Sequence, residues 1–279
     1  MQKLPVDDPA WILRLTSVQI DVQFCALADR GDATNLPLYG IPFAVKDNID
    51  VEGLPTTAAC AEFSYLAKTT ATVVQSLLDA GAILIGKTNL DQFATGLVST
   101  CSPYGAAPNT FDPRYVCGGS SAGSASVVAL GLVPFALGMD TAGSGRVPAG
   151  FNNLVGLKPT RGWLSTREVL PACRSLDCVS IFAHTVEDAA LVAFIAAGPN
   201  EDGYSRTFPV QAMTKRFPSR PKLGVPLLPD WFGDAKAKAA FALACSQFEA
   251  SGATLVPLDF TPLFEVAALL YQGPGSGPV

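Results

Sequence analysis

The stretch TVVQSLLDAGAILIGKTN, Thr72 to Asn89, carries two hydrophobic periods in succession. Val73, Val74, Leu77 and Leu78 recur at the spacing of a helix face, Gly81 is a stop, and Ala82 to Ile85 is an apolar run of strand length. This predicts a helix to about Ala80 and a strand through Ile85. The same order returns in AKAKAAFALACSQFEASGATLVPLDF, Ala235 to Phe260, as a helix to about Ser251, a stop at Gly252 and a strand from Ala253 to Leu258. A further strand is expected at Gly40 to Lys46, GIPFAVK, and a helix at Val186 to Ala196. Helix and strand in alternation predict an α/β fold with a mixed or largely parallel central sheet covered by helices on both faces.

The chain has 279 residues, 49% of them hydrophobic and 15% charged, enough to bury a large core and too apolar for disorder. Its net charge of -5 and scattered basic residues argue against a nucleic-acid partner. The opening MQKLPVDDPAWILRL has acidic residues where a secretory signal is apolar, and the longest apolar run, Val127 to Met139, is broken by Gly131 and Pro134 and is too short to span a bilayer. The expectation is a cytoplasmic protein with no membrane partner. Seven cysteines without a CxxC and a single histidine, His184, support neither a disulfide frame nor a metal site, so reduced and mostly buried thiols are expected. The polar segment from Gly198 to Pro221 reads as a surface connection, and the final QGPGSGPV as a frayed or artificial end.

Two motif matches fail on context. Gly81 to Thr88, GAILIGKT, fits the phosphate-loop pattern, yet the residues between its glycines are the expected strand rather than free backbone amides, so Lys87 reads as a polar residue at a strand end. Gly119 to Gly123, GSSAG, fits the nucleophile elbow, with Ser121 as nucleophile and His184 as base. The elbow needs a buried strand before it, and NTFDPRYVC carries Asn, Asp, Pro and Arg there. His184 reads as a residue at a helix entrance.

The stretch CGGSSAGSA, Cys117 to Ala125, runs straight into the apolar SVVALGLVPFALGM, which places it at a helix start inside a folded domain rather than in a linker. A second cluster, GMDTAGSGRVPAG, Gly138 to Gly150, flanks Ser144 with glycines that let backbone amides turn inward, as an oxyanion hole requires. With no histidine nearby, a serine there needs another base. Lys46 fits, at the end of an apolar strand and before Asp47 and Asn48. Burial and positive neighbours would have to lower its pKa from ~10.4 by roughly 3 units, at a cost of about 4 kcal/mol.

Taken together, VKDN at Lys46, GGSSAGS at Ser120 and DTAGS at Ser144 resemble the amidase signature family. The resemblance, from Pro37 to Ala183, implies the amidase-signature fold and a Ser–Ser–Lys triad. Ser144 would be the nucleophile, Ser120 a proton-relaying serine after a cis peptide bond, and Lys46 the general base. The amides of Thr141, Ala142, Gly143 and Ser144 would form the oxyanion hole. Asp140 would anchor that loop, while Ser121 and Ser124 support theirs. No metal or organic cofactor is implied. NNLVGLKPTRGWLS and PACRSLDCVSIFA, between Asn152 and Ala183, are most similar to the allophanate-hydrolysing branch of the family, which implies a small amide substrate, ammonia release and a role in urea breakdown. Tyr271 in LYQGP would touch substrate, and an arginine is expected eight residues on, where this chain has Val279. A single amidase domain over residues 1–279, incomplete at its C-terminus, is the expected organisation, with a homodimer as the candidate assembly. The alternatives are an amidase for another small amide, a component of an amidotransferase, and an inactive fragment.

Overall fold

The computed structural model describes residues 8–31, 35–197 and 218–272, with side chains described as far as 269. The expected connection at 198–221 lies largely outside these residues, as does the QGPGSGPV end from 273 onward. The chain divides into two compact units, Met1–Phe208 and Pro209–Val279.

The first unit is built on a six-stranded mixed sheet. Its strands are β1 (Trp11–Arg14), β2 (Pro42–Lys46), β5 (Ile83–Thr88), β6 (Phe135–Met139), β7 (Val155–Leu157) and β8 (Val179–Ala183), in the order β1-β5-β2-β6-β8-β7. β5, β2 and β6 run parallel, and the flanking pairs β1–β5, β6–β8 and β8–β7 are antiparallel. A two-stranded antiparallel pair, β3 (Pro55–Thr56) and β4 (Tyr65–Leu66), stands apart.

Successive side chains of a strand point to opposite faces, and the core divides accordingly. Phe43, Val45, Phe135, Leu137, Met139, Val179 and Ile181 pack in one cluster with Val73, Val74 and Leu77 of α2 (Thr72–Asp79) and with Ala189, Val192 and Ala193 of α5 (Val186–Ala196). Ala44, Ala136 and Phe182 pack in the other, with Ala125, Val127 and Val128 of α3 (Ala122–Ala129). Helices therefore cover both faces, as expected. α1 (Ser17–Asp29) starts on a reciprocal cap, in which Gln19 N–H donates to Thr16 Oγ1 at 3.3 Å and Thr16 N–H to Gln19 Oε1 at 3.0 Å. The remaining helix of this unit is α4 (Arg146–Phe151).

Two differences from the sequence reading have local causes. β5 continues past Ile85 to Thr88 because it is paired on both sides, with β1 through Arg14↔Gly86 and Trp11↔Thr88 and with β2 through Lys46↔Thr88. The thiols are not mostly buried. Cys117 and Cys178 are buried, whereas Cys25 and Cys101 are exposed and Cys60, Cys173 and Cys245 lie between.

In the second unit β9 (Lys222–Pro226) and β10 (Thr254–Leu258) pair in parallel around α6 (Ala235–Ala250), which the Asp234 side chain caps by accepting from Lys236 and Ala237 N–H at 2.9 Å. α7 (Thr261–Gln272) follows. Among the described residues no helix is long and apolar enough to cross a membrane.

Candidate active site

The parallel strands β5, β2 and β6 end at the same edge of the sheet, where open α/β sheets build their sites. β2 delivers Lys46 there, β6 delivers Asp140 and the loop to Ser144, and the loop Cys117–Ser121 leads into α3 at that edge. The loop's composition follows from crowding. A Cβ on Gly119 would run into Asp91 Oδ2, and one on Gly123 would meet the Ala10 carbonyl and the backbone of Asn89, so neither position accepts a larger residue without a shift. The Gly119–Ser120 peptide is cis.

Lys46 is fully buried, and Nζ donates to Ser120 Oγ at 2.8 Å and to Ser121 Oγ at 3.0 Å. No salt bridge reaches it among the described residues. Burial lowers its pKa from an ordinary 10.5 to about 7, against the pull of Asp91, Asp140 and Asp177, which raise it. The sequence reading asks for burial and positive neighbours; the charged neighbours are carboxylates, so desolvation alone does the lowering.

Ser121 does more than support its loop. Besides touching Lys46, its hydroxyl donates to the Met139 carbonyl at 3.0 Å and accepts from Met139 N–H at 3.2 Å, and its own N–H donates to the Ser144 carbonyl at 3.2 Å. The two serine loops are thereby fixed against each other. Ser124 has the supporting role expected of it, donating to the Leu137 carbonyl at 2.9 Å and sharing a 2.7 Å hydrogen bond with Thr88 Oγ1. Ser144 is 4% exposed, and its hydroxyl makes no hydrogen bond among the described residues, to Ser120 included.

Asp140 anchors the Ser144 loop. Fully buried, it accepts from Gly143 N–H at 2.7 Å, from Arg146 N–H at 3.1 Å and from the Arg146 guanidinium at 2.9 and 3.1 Å. Burial alone would push its carboxyl up, but the hydrogen bonds and charge of Arg146 and the Gly143 amide together hold it below the usual range. The four amides expected to form the oxyanion hole differ in their engagement. The Gly143 amide is already taken by Asp140, while those of Thr141, Ala142 and Ser144 have no acceptor among the described residues.

Tyr271 lies on α7, and its side chain falls outside the described residues. His184 is exposed, with Nε2 2.9 Å from the Val128 carbonyl. It follows Ala183, which pairs with Phe135 at the start of β6, whereas Ser121 holds Met139 at the end of that strand. Four residues of strand, about 13 Å, separate the two places. An elbow serine served by this imidazole is excluded. The GAILIGKT match is likewise strand, with no free amides to hold a phosphate.

Three features escaped the sequence reading. Lys87 is fully buried, its Nζ 3.0 Å from Asp47 Oδ1 and donating to Thr56 Oγ1 at 2.6 Å and the Pro55 carbonyl at 2.9 Å. Asp91 accepts from Ser99 and Cys101 N–H at 3.0 Å, and its own N–H donates to the Ser120 carbonyl. Asp177 accepts from Thr141 Oγ1 at 2.5 Å and from the amides of Ala172 and Cys173 at 3.0 and 3.1 Å. Nothing in the sequence signals these contacts, since a lone Lys or Asp near a motif marks surface positions equally well.

A cavity of about 130 Å³ lined by Thr166, Val169, Pro171, Arg174 and Asp177 adjoins this edge. A larger one of about 510 Å³, against Asn109, Phe111, Tyr115 and Phe151, includes none of the residues above. Asp177 ties the smaller to the Ser144 loop through Thr141.

The chain belongs to the amidase family, which it matches over residues 21–274. It is 52% identical over 271 residues to the urea amidolyase of Saccharomyces cerevisiae, covering 96% of this chain and 15% of that protein. It is 50% identical to the solved allophanate hydrolase of Kluyveromyces lactis, with a TM-score of 0.93 over 97% of this chain and 44% of that one. A glutamyl-tRNA(Gln) amidotransferase component of Acidobacterium capsulatum is 41% identical over 238 residues, 82% of this chain and 50% of that protein. The chain thus spans about a sixth of the urea amidolyase and under half of the allophanate hydrolase chain.

Proposed function

We propose that the protein is an amidohydrolase that cleaves the terminal amide of allophanate (urea-1-carboxylate) and releases ammonia. The observation that carries the chemistry is the buried Lys46 amine, 2.8 Å from Ser120 Oγ and free of any salt bridge among the described residues. A buried amine held near neutrality by desolvation is a base at working pH, and Ser120 extends its reach towards Ser144. The substrate choice is supported by the likeness to urea amidolyase and to allophanate hydrolase.

In this reading Ser144 Oγ attacks the amide carbonyl carbon and gives its proton to Ser120, as Ser120 gives its own to neutral Lys46. The N–H groups of Thr141, Ala142 and Ser144 hold the carbonyl oxygen as it becomes an oxyanion. They act from a water-poor site in which each donor is worth about 3 kcal/mol. The proton then returns along Lys46 and Ser120 to the amide nitrogen as the C–N bond breaks, and ammonia leaves an ester on Ser144. Water attacks that ester through the same relay, restoring the serine and releasing N-carboxycarbamate. Both units are parts of one amidase domain in this reading, acting in the cytoplasm on a small amide with no nucleic-acid or membrane partner, as a monomer or a homodimer.

Ammonia release from allophanate, glutamine and simple aliphatic amides tests it. Allophanate should be preferred by at least about 100-fold in kcat/KM, the discrimination a polar site achieves against analogues that leave its groups unpaired. Ser144→Ala should lower that rate by at least about 10⁴-fold while leaving the melting temperature nearly unchanged. Preference for glutamine would favour the alternative of an amidotransferase component. Substantial activity in Ser144→Ala would remove Ser144 as nucleophile.

A further inference from the structure

The loop that carries Ser144 is held by a carboxylate at each end. Asp140 accepts from Gly143 N–H at 2.7 Å and from Arg146, which fixes the side of the loop that leads into α4. At the other end the chain leaves β6, and the β6–β8 pairing makes one more rung: Asp140 N–H donates to the Cys178 carbonyl at 2.8 Å, and Cys178 N–H to that of Asp140 at 3.3 Å. Thr141 is the first residue past this rung, and its N–H has no acceptor among the described residues. Its side chain is what ties it down. Oγ1 donates to Asp177 Oδ1 at 2.5 Å, while Ala142 beyond it is exposed.

Asp177 is itself fixed independently of Thr141. It is 4% exposed, directly precedes Cys178 of the last rung, and accepts from Ala172 N–H at 3.0 Å and Cys173 N–H at 3.1 Å. Its own N–H closes the same turn by donating to the Cys173 carbonyl at 2.9 Å. The turn belongs to a segment anchored along the residues that follow Lys46, where Asn48 Nδ2 donates to the Leu170 carbonyl at 2.9 Å and Asp50 N–H to the Glu168 carbonyl at 3.0 Å. Threonine is stiff about χ1, so a held Oγ1 restricts how its Cα and the adjoining peptide can turn. The free N–H of Thr141 is thus oriented by a carboxylate that makes no hydrogen bond to the side chains of Lys46, Ser120 or Ser144 among the described residues.

We propose that Asp177 is a positioning residue for the hydrolysis: by holding Thr141 Oγ1 it keeps the Thr141 N–H aligned with the carbonyl oxygen as that oxygen becomes negative, a role that rests on the amidase reading above. Asp177 touches no substrate and moves no proton. A donor fixed before the reaction acts on the transition state more than on the bound amide, so the clasp shows in kcat and hardly in KM.

The test removes each half of the clasp in the full chain and reads two quantities. One is kcat and KM for the preferred amide among allophanate, glutamine and simple aliphatic amides. The other is the affinity for methylboronic acid, to whose boron Ser144 Oγ adds; no group leaves, the serine proton passes through Ser120 to Lys46, and the tetrahedral adduct carries the negative charge of the intermediate. Removing an oxyanion donor outright costs about 10²- to 10³-fold, and a donor left in place but loosened costs less, so Thr141→Val should lower kcat and methylboronate affinity by about 10- to 100-fold with KM within about threefold. Thr141→Ser keeps the hydroxyl and should stay within about threefold of wild type in both. Asp177→Ala should lose a similar amount, and Thr141→Val added to it should cost less than about a further twofold, because the contact is already gone.

Unchanged kcat and methylboronate affinity in Thr141→Val overturn the assignment, as do an equal loss in Thr141→Ser, a loss confined to KM, or losses that multiply in the double variant. If Asp177→Ala does not fold, the valine and serine variants at 141 decide. Wild-type protein that binds methylboronate through Ser144 but turns over none of the amides would reject the amide substrate and leave the boronate affinities to decide the clasp. Absence of both overturns the two readings together.

Discussion

Two lysines stand on neighbouring parallel strands, both fully buried, and they do opposite things. The register pairs Lys46 with Thr88 and Lys87 with Val45, so the two side chains leave opposite faces of the sheet. Lys46 enters the α3 side, where among the described residues its amine hydrogen-bonds only the hydroxyls of Ser120 and Ser121. Lys87 enters the other side and meets Asp47, the residue immediately after Lys46, 3.0 Å away. Burial lowers both amines, but Asp47 pulls Lys87 back towards its charged form, while the carboxylates that pull on Lys46 make no contact with it. In the proposed mechanism one touching carboxylate separates a buried amine that serves as a base from one that serves as a structural cation. The Lys87–Asp47 pair also keeps that carboxylate turned away from the base.

Exchanging lysine for arginine breaks the comparison hardest at Lys46. A guanidinium keeps the charge and cannot accept a proton, so Lys46→Arg should lose more than about 10³-fold in kcat/KM, towards the upper range for general-base catalysis. Retention of more than a tenth of the activity would make Lys46 an electrostatic group. At Lys87 the expected damage is to the fold. Lys87→Met strands Asp47 as an unpaired buried carboxylate and should cost about 3–5 kcal/mol in urea unfolding, most of which Asp47→Asn added to it should restore. A catalytic collapse in Lys87→Met with unfolding unchanged would contradict the structural role. The smallest effect belongs to His184, whose ring has its one hydrogen bond among the described residues with the Val128 carbonyl. His184→Asn should keep kcat/KM within twofold and cost at most about 1 kcal/mol of stability.

The contrast between the lysines also shows how far the sequence can be read. Periodicity and glycine stops locate α2, α5, α6, β2 and the first half of β5. They stop β5 at Ile85, since the Gly-Lys-Thr that completes the strand is held by pairing partners distant in sequence. Lys46, Ser120 and Ser144 are legible because short side chains and glycines cluster around them in motifs resembling a known family. Lys87 reads correctly as a polar residue at a strand end, but its burial and ion pair are not legible because its partners, Asp47 and Thr56, arrive from a different loop. The hydrogen bond that engages the Gly143 amide, one of the four expected oxyanion donors, is illegible for a related reason. The Asp140 carboxylate folds back onto it, a choice of rotamer that composition does not encode. Asp177 carries no signal at all until its contact with Thr141 places it beside the site.

The central claim is that Lys46 acts as a neutral amine with a pKa of about 7, lowered by burial. The pH dependence of kcat/KM for the preferred amide tests it most directly. Below pH 7 the amine is protonated and cannot accept from Ser120, so kcat/KM should fall tenfold per pH unit; above pH 7 it is free, and the profile should level off. A profile flat from pH 5 to pH 9, or one still rising towards the ordinary lysine value of ~10.4, would contradict a desolvated lysine base.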